Sequence, residues 1–124
     1  MQNSGAPIYM LAAAALHCTD TNQYAKVTWV ERTDSYAADN YRAEILGGIA
    51  AQLIMRAALQ GKEVHHSTPI IAYCDNLGVV HHGNRANRPL AEKQKQADAL
   101  RTFKRLVATS AGRATMRHVY GHMD

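Results

Sequence analysis

The stretch that most constrains this chain is a short apolar run that ends on a carboxylate. Residues 70–74 (IIAYC) are bounded by Pro69 and by Gly78, and Asp75 and Asn76 follow the run directly. A run of this length between turn residues predicts a strand that is buried on both faces. Open α/β sheets place their chemistry beyond the carboxyl ends of their strands, so Asp75 is a candidate reactive group. Asp75 or Asn76 could instead cap a following helix, because both side chains accept hydrogen bonds from free helical N–H groups.

Hydrophobic periodicity predicts one α/β domain over residues 1–124, with its elements in the order β-β-α-β-α-α-β. This alternation is typical of a mixed sheet flanked by helices. The alanine run in the first strand could equally be helical, since alanine has the highest helix propensity. Gly47 and Gly48 interrupt the first helix, and close approach of that helix to the sheet would explain them. The predicted strands cover residues 7–16, 26–32, 68–74 and 115–120, and the predicted helices run from 39 or 40 to 60, from 77 to 82 and from 90 to 110.

Glu44 is the odd residue on an otherwise small and apolar side of the first predicted helix. It shares that side with Gly48, Ala51 and Met55, which marks the face that turns toward the sheet. A glutamate near a helix N-terminus can simply interact with the helix dipole. Alternatively, Glu44 converges with Asp75 at the strand end, where two carboxylates would form a hard-oxygen site suited to Mg²⁺ or Mn²⁺.

The basic residues are concentrated in the last third of the chain. Between Arg85 and Arg117 there are nine Lys or Arg residues against only Glu92 and Asp98, and the whole chain has a formal net charge of +4 at pH 7. A solvated helix face explains part of this asymmetry, but a surface that binds a polyanion explains it better.

The composition argues against secretion and against a membrane span. No apolar stretch approaches the roughly 18 residues that a membrane helix needs. Residues 10–16 (MLAAAAL) have the apolarity of a signal-peptide core, but no basic residue precedes them and Lys26 is the first in the chain. Cys18 and Cys74 are predicted to be buried free thiols in a reducing compartment. We therefore expect an intracellular protein, cytoplasmic or nuclear, with no membrane partner.

Three segments together resemble the ribonuclease H domains attached to retroelement reverse transcriptases. Residues 41–47 (YRAEILG) are similar to the helix that carries that family's glutamate, and residues 73–76 (YCDN) to its central strand with a catalytic aspartate. Residues 119–122 (VYGH) are similar to its last strand and the Gly-His turn over the active site. Each motif is weak by itself, but the three occur in the family's order at compatible spacings and cover nearly the whole chain.

The resemblance implies hydrolysis of the RNA strand of an RNA–DNA hybrid with the help of Mg²⁺ or Mn²⁺. It implies that Glu44 and Asp75 are catalytic and bind the metal, and that His122 assists product release or proton transfer. The expected partner is an RNA–DNA hybrid or another duplex. The expected nucleic-acid contacts come from one asparagine and five basic residues: Asn76, Arg85, Arg88, Arg101, Lys104 and Arg105.

The chain also departs from the family pattern at both ends. The predicted hairpin matches the family's second and third strands, so the first strand, with its aspartate in an Asp-Gly context, has no counterpart, and Asp20 is poorly placed to replace it. The fourth carboxylate is expected about ten residues beyond the Gly-His turn, whereas Asp124 follows His122 almost directly. We therefore expect a domain truncated at both ends relative to the family, whose two remaining carboxylates bind a divalent ion weakly.

The missing strand is central in the family, so its absence predicts two exposed strand edges. A closed-up sheet, a homodimer, or a strand supplied by another chain would satisfy them. Two further function classes compete with an active nuclease. One is a non-catalytic nucleic-acid-binding or assembly domain with the same fold, because fold does not carry activity with it. The other is a small metabolic α/β enzyme, which is disfavoured because no glycine-rich phosphate loop follows a strand.

Overall fold

A computed structural model describes residues 8–18, 22–33, 40–59, 69–110 and 113–119. This part of the chain contains four strands and three helices in the order β-β-α-β-α-α-β, and the α/β class is confirmed. None of its helices is both long enough and apolar enough to cross a bilayer. The strands are β1 (Ile8–Cys18), β2 (Gln23–Thr33), β3 (Pro69–Cys74) and β4 (Arg113–His118), and the helices are α1 (Asn40–Leu59), α2 (Leu77–Asn84) and α3 (Ala97–Ala108).

The alanine-rich segment is a strand, as predicted. β1 pairs antiparallel with β2, with Leu11 opposite Val30, and Asn22 turns the chain between them with a φ of 56°. Met10 and Ala12 are buried while Leu11 is exposed, which is the period-two alternation of a sheet with one covered face. Pairing with β2 and packing against α1 therefore outweigh the helix propensity of alanine.

The second pair of strands is parallel. In this pair β3 lies beside β4 with Ala72 opposite Met116 and Cys74 opposite His118. The ladder continues past the strand end, because the backbone N–H of Val119 donates to the carbonyl oxygen of Cys74 at 3.0 Å. β4 begins two residues earlier than the predicted strand, and Tyr120, its predicted end, lies outside the described residues.

The described strands form two separate two-stranded sheets, which corrects the prediction of one mixed sheet. β1 pairs only with β2 and β3 pairs only with β4, so no described strand joins the two pairs through backbone hydrogen bonds. Both sheets nevertheless pack on one core. Ala12 of β1 and Met116 of β4 belong to the same buried cluster, whose largest fully buried side chains are Ile45, Val79, Leu100 and Phe103.

The two adjacent glycines of α1 face different neighbours. A Cβ on Gly47 would lie 3.4 Å from the carbonyl oxygen of Ala13, so this glycine does lie close to the sheet, as predicted. A Cβ on Gly48 would lie 2.9 Å from Cε1 of Phe103, which belongs to α3. Helix-to-helix packing, rather than the sheet, therefore explains Gly48.

The third helix is shorter than predicted. It begins at Ala97 instead of residue 90, and the preceding segment runs through turns. Gln96 has a φ of 57°, in the left-handed region, and this conformation separates the turns from the helix. Leu100, Phe103 and Val107 are the buried apolar residues of α3 together with Ala99.

Arg42 links three elements. Its guanidinium donates to the carboxylate of Glu31 in β2 at 2.9 Å, to Gln96 at 2.9 Å and to the carboxylate of Asp98 in α3 at 3.0 Å. These contacts raise the pKa of Arg42, and the hydrogen bond from Arg42 lowers the pKa of Asp98 below its ordinary value. Arg42, which stands two residues before Glu44, therefore has a structural role in holding α3 against α1 and the hairpin.

Candidate metal centre at the end of β3

Two carboxylates and one thiol converge where β3 ends. Ligand atoms of Glu44, Cys74 and Asp75 all lie within 4.8 Å of one another. Glu44 is half-buried about one turn into α1, and Asp75 is exposed immediately after β3. The structure therefore brings together the two carboxylates that the sequence singled out, from elements far apart in the chain.

The backbone around Asp75 is held from both sides. Asn76 is the N-cap of α2, where its side-chain oxygen accepts a hydrogen bond from the backbone N–H of Val79 at 3.0 Å. The ring nitrogen Nε2 of His118 lies 3.1 Å from the carbonyl oxygen of Asp75. The capping role belongs to Asn76, so the carboxylate of Asp75 is left to face the cluster.

Cys74 is the member of the cluster that the sequence interpretation missed. It is a free thiol, as predicted, although it is half-buried rather than buried, and the backbone N–H of Asn76 approaches its Sγ at 3.4 Å. Burial raises the pKa of the thiol, and the charges of Glu44 and Asp75 raise it further, against the opposing effect of the Asn76 hydrogen bond. Its position directly before Asp75 is the sequence feature that could have indicated that Cys74 belongs to the cluster. The side chain of Cys18 lies outside the described residues.

The donor set fits a hard divalent cation better than a soft one. Carboxylate oxygens are the ligands that Mg²⁺ and Mn²⁺ prefer, whereas a protonated thiol is a poor ligand for either ion. Glu44 and Asp75 could therefore hold such an ion together with water, and Cys74 would border the site without being a strong ligand.

Most of the predicted nucleic-acid contacts are accessible. Arg85 and Arg88 are exposed at and after the end of α2. Arg101 and Arg105 are exposed one turn apart on α3, on the side opposite its buried residues. These four arginines, which we call the arginine set, are available to a polyanion.

Lys104 is different, and the structure argues against it as a phosphate contact. The residue is only 6% exposed, and its ammonium group donates to the carbonyl oxygen of Arg85 at 2.6 Å. Burial, with a contribution from the charge of Arg85, lowers the pKa of Lys104. The lysine joins α3 to the end of α2, because the helix turns it inward beside Phe103 rather than outward with Arg101 and Arg105.

Several predicted or considered residues lie outside the described part of the chain. These include His122, with its expected part in product release or proton transfer, and the two carboxylates weighed as substitutes, Asp20 and Asp124. Their roles stay predictions.

An open apolar pocket of about 600 Å³ lies away from the carboxylates. It is formed by one side of β2 and the facing side of α1 and contains none of the three cluster residues. The pocket residues are Lys26, Val27, Thr28, Trp29, Val30, Ala50, Leu53, Ile54 and Ala57.

Comparison with known proteins adds little beyond this geometry. No protein-family model matches the chain, and no curated protein matches it. Among solved structures, the chain is similar to the crystal structure of the Prototype Foamy Virus protease–reverse transcriptase, with a TM-score of 0.49 and 14% sequence identity. The similarity covers 94% of this chain and 17% of that protein. A similarity at this level carries no function over to this chain.

Proposed function

We propose that this chain is a ribonuclease H-like nuclease domain that acts on RNA–DNA hybrids by divalent-metal-assisted phosphodiester hydrolysis. One observation carries the proposal. Glu44 and Asp75, which stand in two of the three motifs that resemble the family, have carboxylates that meet at the end of β3. If Glu44 only interacted with the helix dipole and Asp75 only capped a helix, their carboxylates would have no reason to lie close together.

In this proposal Glu44 and Asp75 hold Mg²⁺ or Mn²⁺. When bound, such an ion supplies charge stabilisation at the attacking and leaving oxygens of the phosphodiester. Asn76 and His118 position Asp75 through its flanking backbone, and the arginine set holds the phosphates of the hybrid by charge. Two carboxylates leave most ligand positions to water, so the affinity for the ion should be low and the full activity should require further carboxylates.

The metal site is tested by NMR titration with millimolar Mg²⁺ and with paramagnetic Mn²⁺. We expect shifts or broadening at Glu44 and Asp75, because the ion binds between their carboxylates. Asp75→Asn should abolish the response, whereas Glu92→Gln, which removes an exposed carboxylate outside the cluster, should leave it unchanged. An unperturbed pair of residues in the wild-type chain would remove the proposed site.

The arginine set is tested by measuring hybrid and duplex affinity as a function of salt. Replacing Arg101 and Arg105 with Glu should weaken binding to all sequences alike, because phosphate contacts carry no base information. Losing two phosphate contacts should also reduce the slope of log K against log salt by about two. The matched control is Lys26→Glu with Arg32→Glu, which makes the same charge change on exposed positions of β2. Equal loss with both pairs, or no loss with the first, would contradict a specific role for α3.

A second candidate function is a non-catalytic nucleic-acid-binding or assembly domain. The split sheet favours it, because no described strand pairs with the second edge of β3, the strand that ends at the carboxylate cluster. This candidate predicts salt-dependent binding of the hybrid through the arginine set with no response of Glu44 or Asp75 to metal. The two titrations therefore separate the candidates.

A further inference from the structure

The side of the β1–β2 hairpin that faces away from the core is exposed along its described length. Alternate residues are exposed from Tyr9 to His17 in β1 and from Tyr24 to Arg32 in β2, and opposite residues share this side. We call it the outer face of the hairpin. Its centre is apolar, because Leu11 stands opposite Val30 and the two are 68% and 55% exposed. Exposed apolar residues that adjoin one another and have polar neighbours are typical of a surface that binds a partner.

Aromatic rings and cations stand together at both ends of this apolar centre. Tyr9, which is 62% exposed, lies directly opposite the exposed Arg32, and opposite side chains in a sheet are about 5 Å apart at Cβ. Tyr24, which is 66% exposed, stands two residues before the exposed Lys26, about 7 Å away on the same side of the strand. Glu31 is the only carboxylate of the two strands, and the alternation places it on the inner side. The outer face therefore pairs each tyrosine with a cation and has no acidic residue among its described positions.

The ring of Tyr24 is already part of an aromatic stack. Its partner is His17, which stands opposite it in the register, and the two ring centroids are 4.2 Å apart with planes within 2° of parallel. The ring nitrogen Nε2 of His17 lies 3.0 Å from the side-chain oxygen of Asn22, and this contact fixes the orientation of the imidazole. Because each ring uses one face in the stack, its second face is left for a further planar group.

These groups match the chemistry of an unpaired nucleotide. Such a nucleotide carries a flat base that stacks on exposed rings and a phosphate that pairs with a cation. In a duplex the bases cover one another's faces, so the rings of a protein reach only unpaired bases. A helix of another protein could cover Leu11 and Val30, but it would have no use for a cation beside each ring.

We propose that the outer face of the hairpin binds single-stranded nucleic acid without sequence preference. Bases stack on Tyr9 and Tyr24, and Arg32 and Lys26 hold the phosphates beside them. Stacking tolerates any sequence, because every base has a π-face. The inference is independent of the metal centre and of nuclease activity, because the outer face contains none of the cluster residues.

The rings are tested by fluorescence anisotropy with labelled oligo(U) and oligo(dT) in buffer containing EDTA. A length of about ten nucleotides lies within the range that such platforms occupy. Tyr9→Ala and Tyr24→Ala should each weaken binding about 5- to 100-fold, the effect of losing one stacked base. Tyr24→Phe should bind like the wild type, because stacking requires the ring and not the hydroxyl. The matched control is Tyr73→Ala, which removes an equally exposed ring from the other sheet and should leave binding unchanged.

The cations are tested with the two charge-reversal pairs already described. Lys26→Glu with Arg32→Glu should weaken single-strand binding and reduce the slope of log K against log salt by about 1.4, or about 0.7 for each phosphate contact. Arg101→Glu with Arg105→Glu should affect single strands far less. On the RNA–DNA hybrid the two pairs should exchange their effects, so failure of this proposal is distinguishable from failure of the proposed function.

Three results would overturn the proposal. The first is single-strand affinity that does not change in Tyr9→Ala or Tyr24→Ala. The second is an equal loss in Tyr73→Ala, which would show that any exposed ring contributes. The third is self-association of the wild-type chain in light scattering that Tyr24→Ala abolishes, which would identify a second copy as the occupant of the outer face. Similar affinities for oligo(U) and oligo(dT) are expected, whereas tight binding of only one of them would contradict stacking on the bases alone.

Discussion

The 124-residue chain by itself should cleave an RNA–DNA hybrid very slowly or not detectably in Mg²⁺. Metal-assisted hydrolysis requires bound metal to stabilise both the attacking oxygen and the leaving oxygen of the phosphodiester. Glu44 and Asp75 are the only carboxylates in the described cluster that could bind it. An ion held by so few ligands should be weakly bound and poorly oriented. The measurement is cleavage of an end-labelled hybrid at millimolar Mg²⁺.

Supplying further carboxylate ligands should raise this activity strongly. A fusion that adds an upstream strand with an Asp-Gly motif and a downstream helix with a carboxylate should gain on the order of 10²–10³-fold, the size of effect seen when one preorganised electrostatic group is lost or restored. Asp75→Asn should then remove the gain, whereas Glu92→Gln should leave it unchanged. Vigorous Mg²⁺-dependent cleavage by the unmodified chain would contradict the prediction that Glu44 and Asp75 are too few ligands for efficient hydrolysis. Alanine variants of Asp20 and Asp124 would then identify the substitute ligand.

Phe103→Ala should cause the largest loss of stability of any single substitution considered. The ring is fully buried among α1, α2 and α3, where it meets Gly48 and Gly83. Truncating a buried Phe costs about 3–5 kcal/mol through lost transfer free energy and the cavity left behind. The measurement is the free energy of unfolding from urea denaturation.

The glycines of α1 provide the controls for this prediction. Gly→Ala ordinarily stabilises a helix interior by up to about 1 kcal/mol. Gly47→Ala should approach that gain, because its Cβ would meet Ala13 at an ordinary contact distance. Gly48→Ala should instead destabilise, because its Cβ would lie 2.9 Å from the ring of Phe103.

The double variant Gly48→Ala/Phe103→Ala decides whether this contact is the cause. It should lose less stability than the sum of the single variants, with a coupling of about 0.5–3 kcal/mol, because the new methyl group occupies space that the ring has left. Strict additivity of the two losses would show that the two residues do not compete for the same space.

The local properties of the sequence were sufficient to predict the α/β class and to place Glu44 on a helix and Asp75 at the end of a strand. Apolar runs of strand length and a helical repeat depend on residues close together in the chain, so α1, β3 and the hairpin could be recognised without tertiary information. Boundaries were less accurate. The apolar repeat of α3 did not show that Gln96 takes a left-handed conformation, which delays the helix to Ala97.

The sequence by itself determined that Glu44 stands on the inner side of a helix and that Asp75 ends a strand, because periodicity and chain order decide both. Only the tertiary structure decided which neighbours these residues have. Cys74 joins the carboxylates. Lys104 turns inward to a backbone carbonyl, although it lies in a basic segment whose other side chains are mostly on the surface. Contacts between distant segments depend on how helices and sheets pack, and no local pattern records them. For the same reason, the division of the strands into two sheets became visible only when their pairing partners were known.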